Sequence, residues 1–273
     1  MFLYQGKTAL ITGASGGIGA AFARALAARG ANVILVARSE DRLRAPGEEL
    51  ARDHGVRAEV VAADLTRPGA AGELRAAVAA RGLMVDLLVN NAGFGTYGRF
   101  GTLAPEREHD EVALNVAAMV DLTHLFLPAM LERGDGGVIN LASTSAFQPL
   151  PYMAVYGATK AFVLSFSEAL WAECRGRGVR VLALCPGPTA TGFFAVVGSE
   201  DGAVGQTRTA AQAVATGLRA LERGRPSVVD GWANYLRAQT PRLAPRGLVA
   251  RIGERITRPR RAAPRPDPAA QHR

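Results

Sequence analysis

The feature that most constrains the fold is the regular alternation of short apolar runs with longer segments of helical periodicity. The apolar runs consist largely of Val, Leu, Ile and Ala, which is typical of strands buried on both faces of a parallel sheet. The runs cover Thr8–Thr12, Asn32–Ala37, Ala58–Ala62, 86–90, 137–142 and Val179–Cys185, and the helical patterns cover 18–29, 41–53, 70–81, 105–132 and about 152–175. This order predicts an α/β fold with a doubly wound parallel sheet.

The formal net charge of +8 is confined to the C-terminal end of the 273-residue chain. Residues 1–236 carry equal numbers of acidic and basic side chains, whereas residues 237–273 carry ten Arg against Glu254 and Asp267. We therefore predict a single domain over 1–236 and a basic tail over 237–273. Because the domain itself is neutral, we expect no nucleic-acid partner.

Part of this tail has the pattern of a short basic amphipathic helix. Leu248, Val249, Ile252 and Ile256 recur at helical spacing, and several Arg residues lie elsewhere around the same helix. We predict a helix over about 241–258 and, because four Pro follow from residue 259 onward, a disordered end. The helix could pack on the domain or on a second subunit, or it could make a weak contact with an anionic lipid surface.

The sequence indicates neither an export signal nor a metal site. The first seven residues lack the charged and apolar regions of a signal peptide, and we find no run approaching the ~20 apolar residues of a spanning helix. Cys174 and Cys185 lack the C-x-x-C spacing, and the four His residues lack the paired spacing of zinc ligands. We expect a cytoplasmic protein without bound metal, with peripheral attachment to a membrane as an open alternative.

A glycine-rich turn follows the first predicted strand and leads directly into a helix. Glycines let the chain turn tightly, and the N–H groups and dipole of a helix N-terminus stabilise an anion such as a pyrophosphate. The spacing G-x-x-x-G-x-G differs from the G-x-G-x-x-G fingerprint. Taken alone, this motif is therefore also compatible with a glycine-rich turn that binds no ligand. The residues that we assign to a cofactor here are Gly13, Ser15, Gly16, Gly17, Ile18 and Gly19.

The same turn also matches the G-x-S-x-G nucleophile elbow of an α/β-hydrolase, with Ser15 as the nucleophile. A hydrolase elbow needs earlier strands that supply oxyanion donors, and it needs an acid and a His downstream. Here the turn follows the first strand, and the downstream His residues stand alone. We therefore prefer nucleotide binding to hydrolysis.

The end of the second predicted strand indicates which nucleotide is bound. An NAD-binding unit carries Asp or Glu at this position, whereas this chain has Arg38 followed by Ser39. The guanidinium is a planar fork of donors that suits a 2'-phosphate, and no carboxylate repels it. We therefore favour NADP(H) over NAD(H), although Arg38 could instead be a solvated side chain beside a helix cap.

Five motifs in this order resemble those of the short-chain dehydrogenase/reductase family, over roughly residues 5–235. They are the glycine turn, N-N-A-G at 90–93, a Ser after the fifth strand, Y-x-x-x-K at 156–160 and P-G at 186–187. Each motif is weak evidence by itself, but the ordered set is specific. The resemblance implies a Rossmann fold and a reversible hydride transfer between a nicotinamide and a ketone, an aldehyde or a secondary alcohol.

The resemblance also implies roles for single residues. Tyr156 would be the general acid or base, Ser143 would bind the carbonyl oxygen, Lys160 would hold the nicotinamide ribose, and Asn115 would organise a water chain. The remaining residues that it assigns to the cofactor are Asp64, Leu65, Asn91, Ala92, Gly93, Pro186, Gly187, Thr189 and Thr191.

The chemistry of Tyr156 and Lys160 supports these roles independently. Residues four apart on a helix share one face, so the two side chains can reach one ligand. A phenol with a pKa of ~10 is a poor acid and base near neutrality, and a neighbouring ammonium would lower that pKa. We expect Lys160, one of two Lys in the chain, to supply this charge.

Apolar side chains indicate the substrate. Phe94, Tyr97, Phe147, Phe193 and Phe194 lie in or near the loops that would border it, which favours a lipophilic substrate if they do more than pack the lid. By resemblance we also expect a homodimer or homotetramer, although the basic tail replaces the short C-terminus common in the family. The alternative function is a nucleotide-sensing or membrane-associated binding protein that has the same fold and no turnover.

Overall fold

A computed structural model describes residues 2–199 and 205–259 of the chain. Seven parallel strands form the main sheet in the order β3-β2-β1-β4-β5-β6-β9. Their bounds are β1 Thr8–Thr12, β2 Asn32–Ala37, β3 Ala58–Ala62, β4 Leu87–Asn90, β5 Gly136–Leu141, β6 Val179–Cys185 and β9 Ser227–Val229, and the short strands β7 Thr189–Ala190 and β8 Arg208–Thr209 pair separately. The predicted doubly wound parallel sheet is confirmed.

Helices cover both faces of the sheet because its strands are apolar on both sides. Alternate residues of β1 point into different cores: Ile11 packs with α1 and α8, whereas Leu10 packs with α3 and α5. The helices are α1 Gly17–Ala27, α2 Asp41–His54, α3 Ala70–Ala80, α4 Pro105–Val112, α5 Ala118–Arg133, α6 Ala154–Cys174, α7 Phe193–Val197, α8 Ala210–Glu222, α9 Trp232–Gln239 and α10 Arg246–Thr257. Several predicted strands have the observed bounds.

The long helical pattern predicted over 105–132 is one continuous helix with an irregular centre. Helices α4 and α5 are joined by a turn of π-helix, Ala113–Ala117. By length and composition alone the whole segment Pro105–Arg133 is apolar enough to cross a membrane. In this fold the segment packs on one face of the sheet. Its residues Leu122 and Met130 are fully buried there, in the same core as residues of α3.

The C-terminal region differs in detail from the prediction. The boundary drawn at 236/237 from charge falls inside α9, and a short 3-10 turn, Thr240–Leu243, precedes α10 instead of one helix over 241–258. Pro245 at the N-cap of α10 accounts for the break, because a residue before a proline disfavours helical geometry. Residues 260–273, most of the segment predicted to be disordered, lie outside the described residues.

Helix α10 packs on the domain through its small and polar residues. Gly253 lies against Pro151, and the Thr257 hydroxyl donates to the Pro151 carbonyl at 3.0 Å. A neighbouring stripe of the helix is left exposed: Leu248, Ile252 and Ile256 are 49%, 48% and 55% accessible. The apolar face that the sequence predicted is therefore not the face that docks on the domain.

Candidate active site

A large cavity lies beyond the carboxyl ends of β1 and β4, where the strand order reverses direction. Its volume is about 690 Å³. This is the crevice in which doubly wound sheets bind ligands. The predicted site residues that line it are Gly13, Ser15, Gly16, Gly17, Ile18, Arg38, Asp64, Leu65, Asn91, Ala92, Gly93, Ser143, Tyr156, Lys160, Pro186, Gly187, Thr189 and Thr191. Gly19 and Asn115 are not among the lining residues.

The glycine turn is held against the end of β4. Asn91 donates its side-chain N–H to the Thr12 carbonyl at 2.8 Å, and the Thr12 hydroxyl accepts the backbone N–H groups of Asn91 and Ala92 at 2.9 Å. Gly13 adopts a positive φ of 66°. A Cβ at Gly19 would lie 2.2 Å from the Gly13 carbonyl oxygen, so Gly19 supports the turn from behind.

Two arginines border the cavity near the end of β2. Arg38 was predicted from the sequence, whereas Arg42, the second residue of α2, was missed because its position reads as an ordinary surface position of a helix. Asp64 lies nearby and accepts hydrogen bonds from the Thr66 hydroxyl at 2.7 Å and from the Thr66 N–H at 3.1 Å. The hydroxyl bond from Thr66 lowers the pKa of Asp64, and the positive charges of Arg38 and Arg67 lower it further.

The residues present fit a nicotinamide dinucleotide. Gly16, at the mouth of the turn, has no atom within 4 Å of the position of a Cβ, so the turn faces open space. The helix N-terminus behind it offers N–H donors to a pyrophosphate. The guanidinium groups of Arg38 and Arg42 line one part of the cavity, where they suit a phosphate group of the ligand. The Tyr156 phenol and the Lys160 amine line another part, where they suit the reacting end of the same elongated ligand.

The structure brings Ser143, Tyr156 and Lys160 together at the reactive end. Ser143 follows β5, and its hydroxyl accepts the Ser145 N–H at 3.1 Å, which fixes the start of a 3-10 turn. Tyr156 and Lys160 lie on α6 with both side chains buried. The Lys160 ammonium lies 5.7 Å from the centre of the Tyr156 ring.

The expected effect of Lys160 on Tyr156 is not observed in this structure. Burial raises the pKa of Tyr156 to about 12, the hydrogen bond with Ser143 lowers it in part, and the negative charge of Glu111 raises it further. Burial also lowers the pKa of Lys160 to about 8. The Lys160 ammonium donates to the Leu141 carbonyl at 2.7 Å, and the pKa of Tyr156 is raised by the burial of the phenol rather than lowered by the charge of Lys160.

Asn115 lies behind the cavity wall, in the π-helical turn. Its side chain exchanges two hydrogen bonds with the backbone of Phe94 and donates to the Thr159 hydroxyl at 3.1 Å. A Cβ at Gly93 would lie 2.7 Å from Asn115 Oδ1 and 3.5 Å from Lys160 Nζ. Asn115 therefore fixes the loop after β4 to the helix that carries Tyr156 and Lys160.

Aromatic side chains border the reactive end. Phe94, Phe193 and Phe194 line the cavity, and the Phe193 ring lies 5.3 Å from the Tyr156 ring. Tyr97 and Phe147, predicted with them, do not line the cavity, although Tyr97 packs beside Phe193 on the cluster of Leu150, Met153 and Tyr156. The Tyr97 hydroxyl donates to the carbonyl of Thr257 on α10, and Phe147 packs on the core formed by α6 and β6.

Two buried carboxyl groups near the site were missed by the sequence analysis. Glu108 and Glu111 lie on α4, and their side chains are buried although Glu is rarely buried without a partner. Burial raises the pKa of Glu111 to about 7, while a hydrogen bond from the Thr96 hydroxyl, at 2.8 Å, opposes this rise. No cluster of His, Cys, Asp and Glu in the part of the chain that the structure describes could hold a metal ion.

Comparison with protein families places these features in a known context. The family described as short chain dehydrogenase matches residues 7–202. A very-long-chain 3-oxoacyl-CoA reductase from Bos taurus is 34% identical over 192 residues, which are 69% of this chain and 61% of that protein. The inactive hydroxysteroid dehydrogenase-like protein 1 of Homo sapiens is 35% identical over 70% of this chain and 58% of its own length. The chain thus matches about three fifths of the length of these relatives.

Solved structures are similar over more of the chain. A 7beta-hydroxysteroid dehydrogenase superposes with a TM-score of 0.82 at 29% identity, covering 93% of this chain and 99% of that one. A short-chain dehydrogenase from Sphingobium yanoikuyae, solved in complex with NADPH, has a TM-score of 0.78 at 31% identity, with coverage of 94% and 98%. Both similarities extend past the family match, into the region of β9 and α10.

Proposed function

Because the chain belongs to the short-chain dehydrogenase/reductase family, we propose that it is an NADP(H)-dependent oxidoreductase that interconverts a carbonyl compound and an alcohol. The observation that supports this most is the meeting of Ser143, Tyr156 and Lys160 in one cavity that the glycine turn also lines.

In this proposal, the protein residues handle the oxygen and its proton. When bound, the cofactor supplies or accepts a hydride. Ser143 and Tyr156 donate hydrogen bonds to the carbonyl oxygen, which stabilises the negative charge that develops there. Tyr156 gives its proton to that oxygen in reduction and takes it back in oxidation, and Lys160 holds the ribose side of the cavity.

A preference for NADP(H) over NAD(H) is part of the proposal. Arg38 and Arg42 border the cavity near Ser15, and together they offer two guanidinium forks to a 2'-phosphate. The NADPH complex of the Sphingobium yanoikuyae protein is consistent with this preference but belongs to that protein.

We propose a lipophilic substrate, because Phe94, Met153, Phe193 and Phe194 surround the space above Tyr156. Two similar proteins are named for substrates with a large apolar part, a steroid and the very-long-chain acyl thioester of coenzyme A. Equal turnover of charged and apolar ketones of the same size would contradict this part of the proposal.

The main test is oxidation of NADPH with a panel of aromatic and aliphatic ketones, run for the wild-type protein and for Tyr156→Phe. Loss of one hydroxyl removes the proton donor, so we expect turnover to fall by ~10²–10⁴-fold while NADPH binding is retained. Tyr235→Phe is a matched control, because Tyr235 is an exposed phenol on α9 outside the cavity. Equal turnover by Tyr156→Phe and wild type would contradict the proposal.

The alternative is a binding protein without turnover. It is favoured by the relatives that are named inactive. It is opposed by the presence of Asn115, Ser143, Tyr156 and Lys160. Tight NADPH binding without oxidation by any ketone or alcohol of the panel would favour this alternative.

We propose a cytoplasmic location, with weak peripheral contact between α10 and anionic lipid. The exposed stripe Leu248, Ile252 and Ile256 is flanked by Arg251 and Arg255, a pattern that suits a lipid interface. Ile252→Glu should reduce co-sedimentation with anionic vesicles, whereas Leu3→Glu, at an exposed leucine far along the chain, should not. Equal binding by both variants and wild type would remove this proposal.

We also propose a homodimer or homotetramer. Exposed Val112 and Phe162, on α4 and α6, leave apolar surface for a second subunit. Light scattering coupled to gel filtration measures the mass directly, and a monomer at micromolar concentration would contradict this proposal.

A further inference from the structure

The buried pair Glu108 and Glu111 lies beside the catalytic residues but has no role in the proposed reaction. Glu111 is 0% accessible and Glu108 is 8% accessible. Each has one carboxyl oxygen, Oε1, that is buried without a hydrogen-bond partner among the described residues. Such orphaned carboxyl oxygens are costly and call for an explanation.

Glu111 is placed between the catalytic helix and the loop after β4. It accepts a hydrogen bond from Thr96 on that loop, and it precedes Asn115 by one helical turn. Asn115 in turn bonds Thr159, the neighbour of Lys160 on α6. Glu111 is thus linked through Asn115 to the helix that carries Lys160, and its charge acts on the Lys160 amine, which donates to the Leu141 carbonyl.

The charges of these groups act on each other. Desolvation is the largest influence on both Glu111 and Lys160, and beyond it each of the two charges stabilises the other. The groups that face Glu111 are Lys160 and Tyr156 from α6 and Glu108 from its own helix, and Glu108 raises the pKa of Glu111 by repulsion. Near neutral pH, Glu111 can therefore both hold and release a proton.

Glu108 connects this pair to the surface. It lines a second cavity of about 240 Å³, together with Gly98, Arg99, Pro151 and Tyr152, that is separate from the cofactor cavity in its lining residues. Glu108 and Glu111 are three apart on α4 and so lie on one face of that helix. The carboxyl groups therefore lead from the neighbourhood of Lys160 to a cavity large enough for several waters.

We propose that Glu111 and Glu108 form a proton route between Lys160 and the second cavity, which replenishes the proton that Tyr156 donates. This inference rests on the proposed function. In reduction, the Tyr156 proton goes to the carbonyl oxygen, and the phenolate regains one from the Lys160 ammonium through bridging hydroxyl groups or water. The Lys160 amine takes a proton from the Glu111 carboxylic acid, and the Glu111 carboxylate takes one from water through Glu108. Oxidation reverses each transfer.

The first test needs neither cofactor nor substrate. The chain has two lysines, so acetic anhydride labelling at a series of pH values, read by mass spectrometry, reports the pKa of Lys160 with Lys7 as the internal reference. Loss of the Glu111 charge in Glu111→Gln should lower the Lys160 pKa by ~0.5 or more and leave Lys7 unchanged. An unchanged Lys160 pKa in a folded variant would overturn the proposal.

The second test uses the pH profile of kcat for ketone reduction. In wild type, kcat should fall as the pH rises through about 7, where Glu111 loses its proton. In Glu111→Gln this fall of kcat with pH should disappear, and kcat should decrease ~10-fold with little change in KM. In Glu111→Asp the fall of kcat with pH, the alkaline limb of the profile, should return. In Glu108→Gln the limb should move to lower pH, because repulsion from Glu108 is gone.

Glu106→Gln, at an exposed position on the same helix, is the matched control and should behave as wild type. Profiles of Glu111→Gln and Glu108→Gln that coincide with wild type would overturn the proton route while leaving the enzyme assignment intact. If no ketone is reduced at all, the proposed function fails, and the labelling experiment still decides whether Glu111 and Lys160 are coupled.

Discussion

Asn115 and Phe94 exchange two hydrogen bonds across the back of the candidate active site. The Phe94 N–H donates to Asn115 Oδ1 at 3.1 Å, and Asn115 Nδ2 donates to the Phe94 carbonyl at 2.9 Å. The amide thus acts as a substitute strand partner for the loop after β4. It holds Gly93 against Lys160 without contacting the cavity itself.

Asn115→Ala should destabilise the protein. It leaves the N–H and the carbonyl of Phe94, both part-buried, without these partners, and each loss costs up to ~1–3 kcal/mol. We expect a lower urea midpoint and weaker NADPH binding, because the loop from 91 to 93 lines the cavity. Unfolding and binding curves that overlay those of wild type would show that the loop does not depend on this amide.

Gly19→Ala should disrupt the glycine turn. The added methyl group would meet the Gly13 carbonyl oxygen at 2.2 Å, and neither backbone can move without displacing Asn91. We expect loss of thermal stability and of NADPH affinity, measured by calorimetry. Gly72→Ala is the control: its Cβ meets nothing within 4 Å in α3, so stability should rise by ~0.5–1 kcal/mol. Equal effects of the two variants would contradict this explanation.

Arg38→Ala and Arg42→Ala should change the preference for the nucleotide. A charge-assisted hydrogen bond contributes ~1.5–3 kcal/mol, so each loss should weaken NADPH binding by ~10–100-fold and leave NADH binding nearly unchanged. Fluorescence titration of both nucleotides measures this. Arg44→Ala, an exposed arginine paired with Glu40 outside the cavity, should alter neither affinity. Equal losses of affinity for NADPH and NADH would contradict a contact between these arginines and the 2'-phosphate.

In Thr66→Val the free energy of unfolding should change less with pH in the acid range than it does in wild type. The Thr66 hydroxyl holds the pKa of Asp64 below its ordinary value, so its contribution is present at neutral pH and is lost as the pH falls through the folded pKa. We expect a loss of ~0.5–1.5 kcal/mol at pH 7 that shrinks below pH ~4. The control Thr102→Val removes a bond to the Arg99 carbonyl, which does not titrate. A loss that is constant with pH in Thr66→Val would contradict the role of Asp64.

The strands and the cavity lining could be predicted from the sequence because both depend on local signals. The bounds of β1, β2, β3 and β6 follow from continuous apolar runs, and most lining residues follow strand ends. Strand β9, Ser227–Val229, was not predicted, because three half-buried residues give too short a pattern. Its pairing with β6 depends on tertiary packing.

The buried carboxyls could not be predicted for a different reason. In the run from Pro105 to Val112, every position between the two ends is charged or His, as on a solvated helix. Only the packing of α4 against α6 turns Glu111 inward. The depressed pKa of Lys160 has the same origin, since the enclosure that desolvates its ammonium is built from residues distant in sequence.

The wide turn Ala113–Ala117 gives the long helix one residue more than a regular α-helix of the same length would contain. Its five residues cover nearly the same rotation as four residues of an α-helix, so the halves before and after it keep a common register with the sheet. Loss of one residue here would therefore leave a regular helix whose acidic and apolar halves still face their present neighbours. It would, however, remove the bulge from which Asn115 holds the Phe94 backbone, so the shortened protein should fold and yet no longer fix the loop after β4.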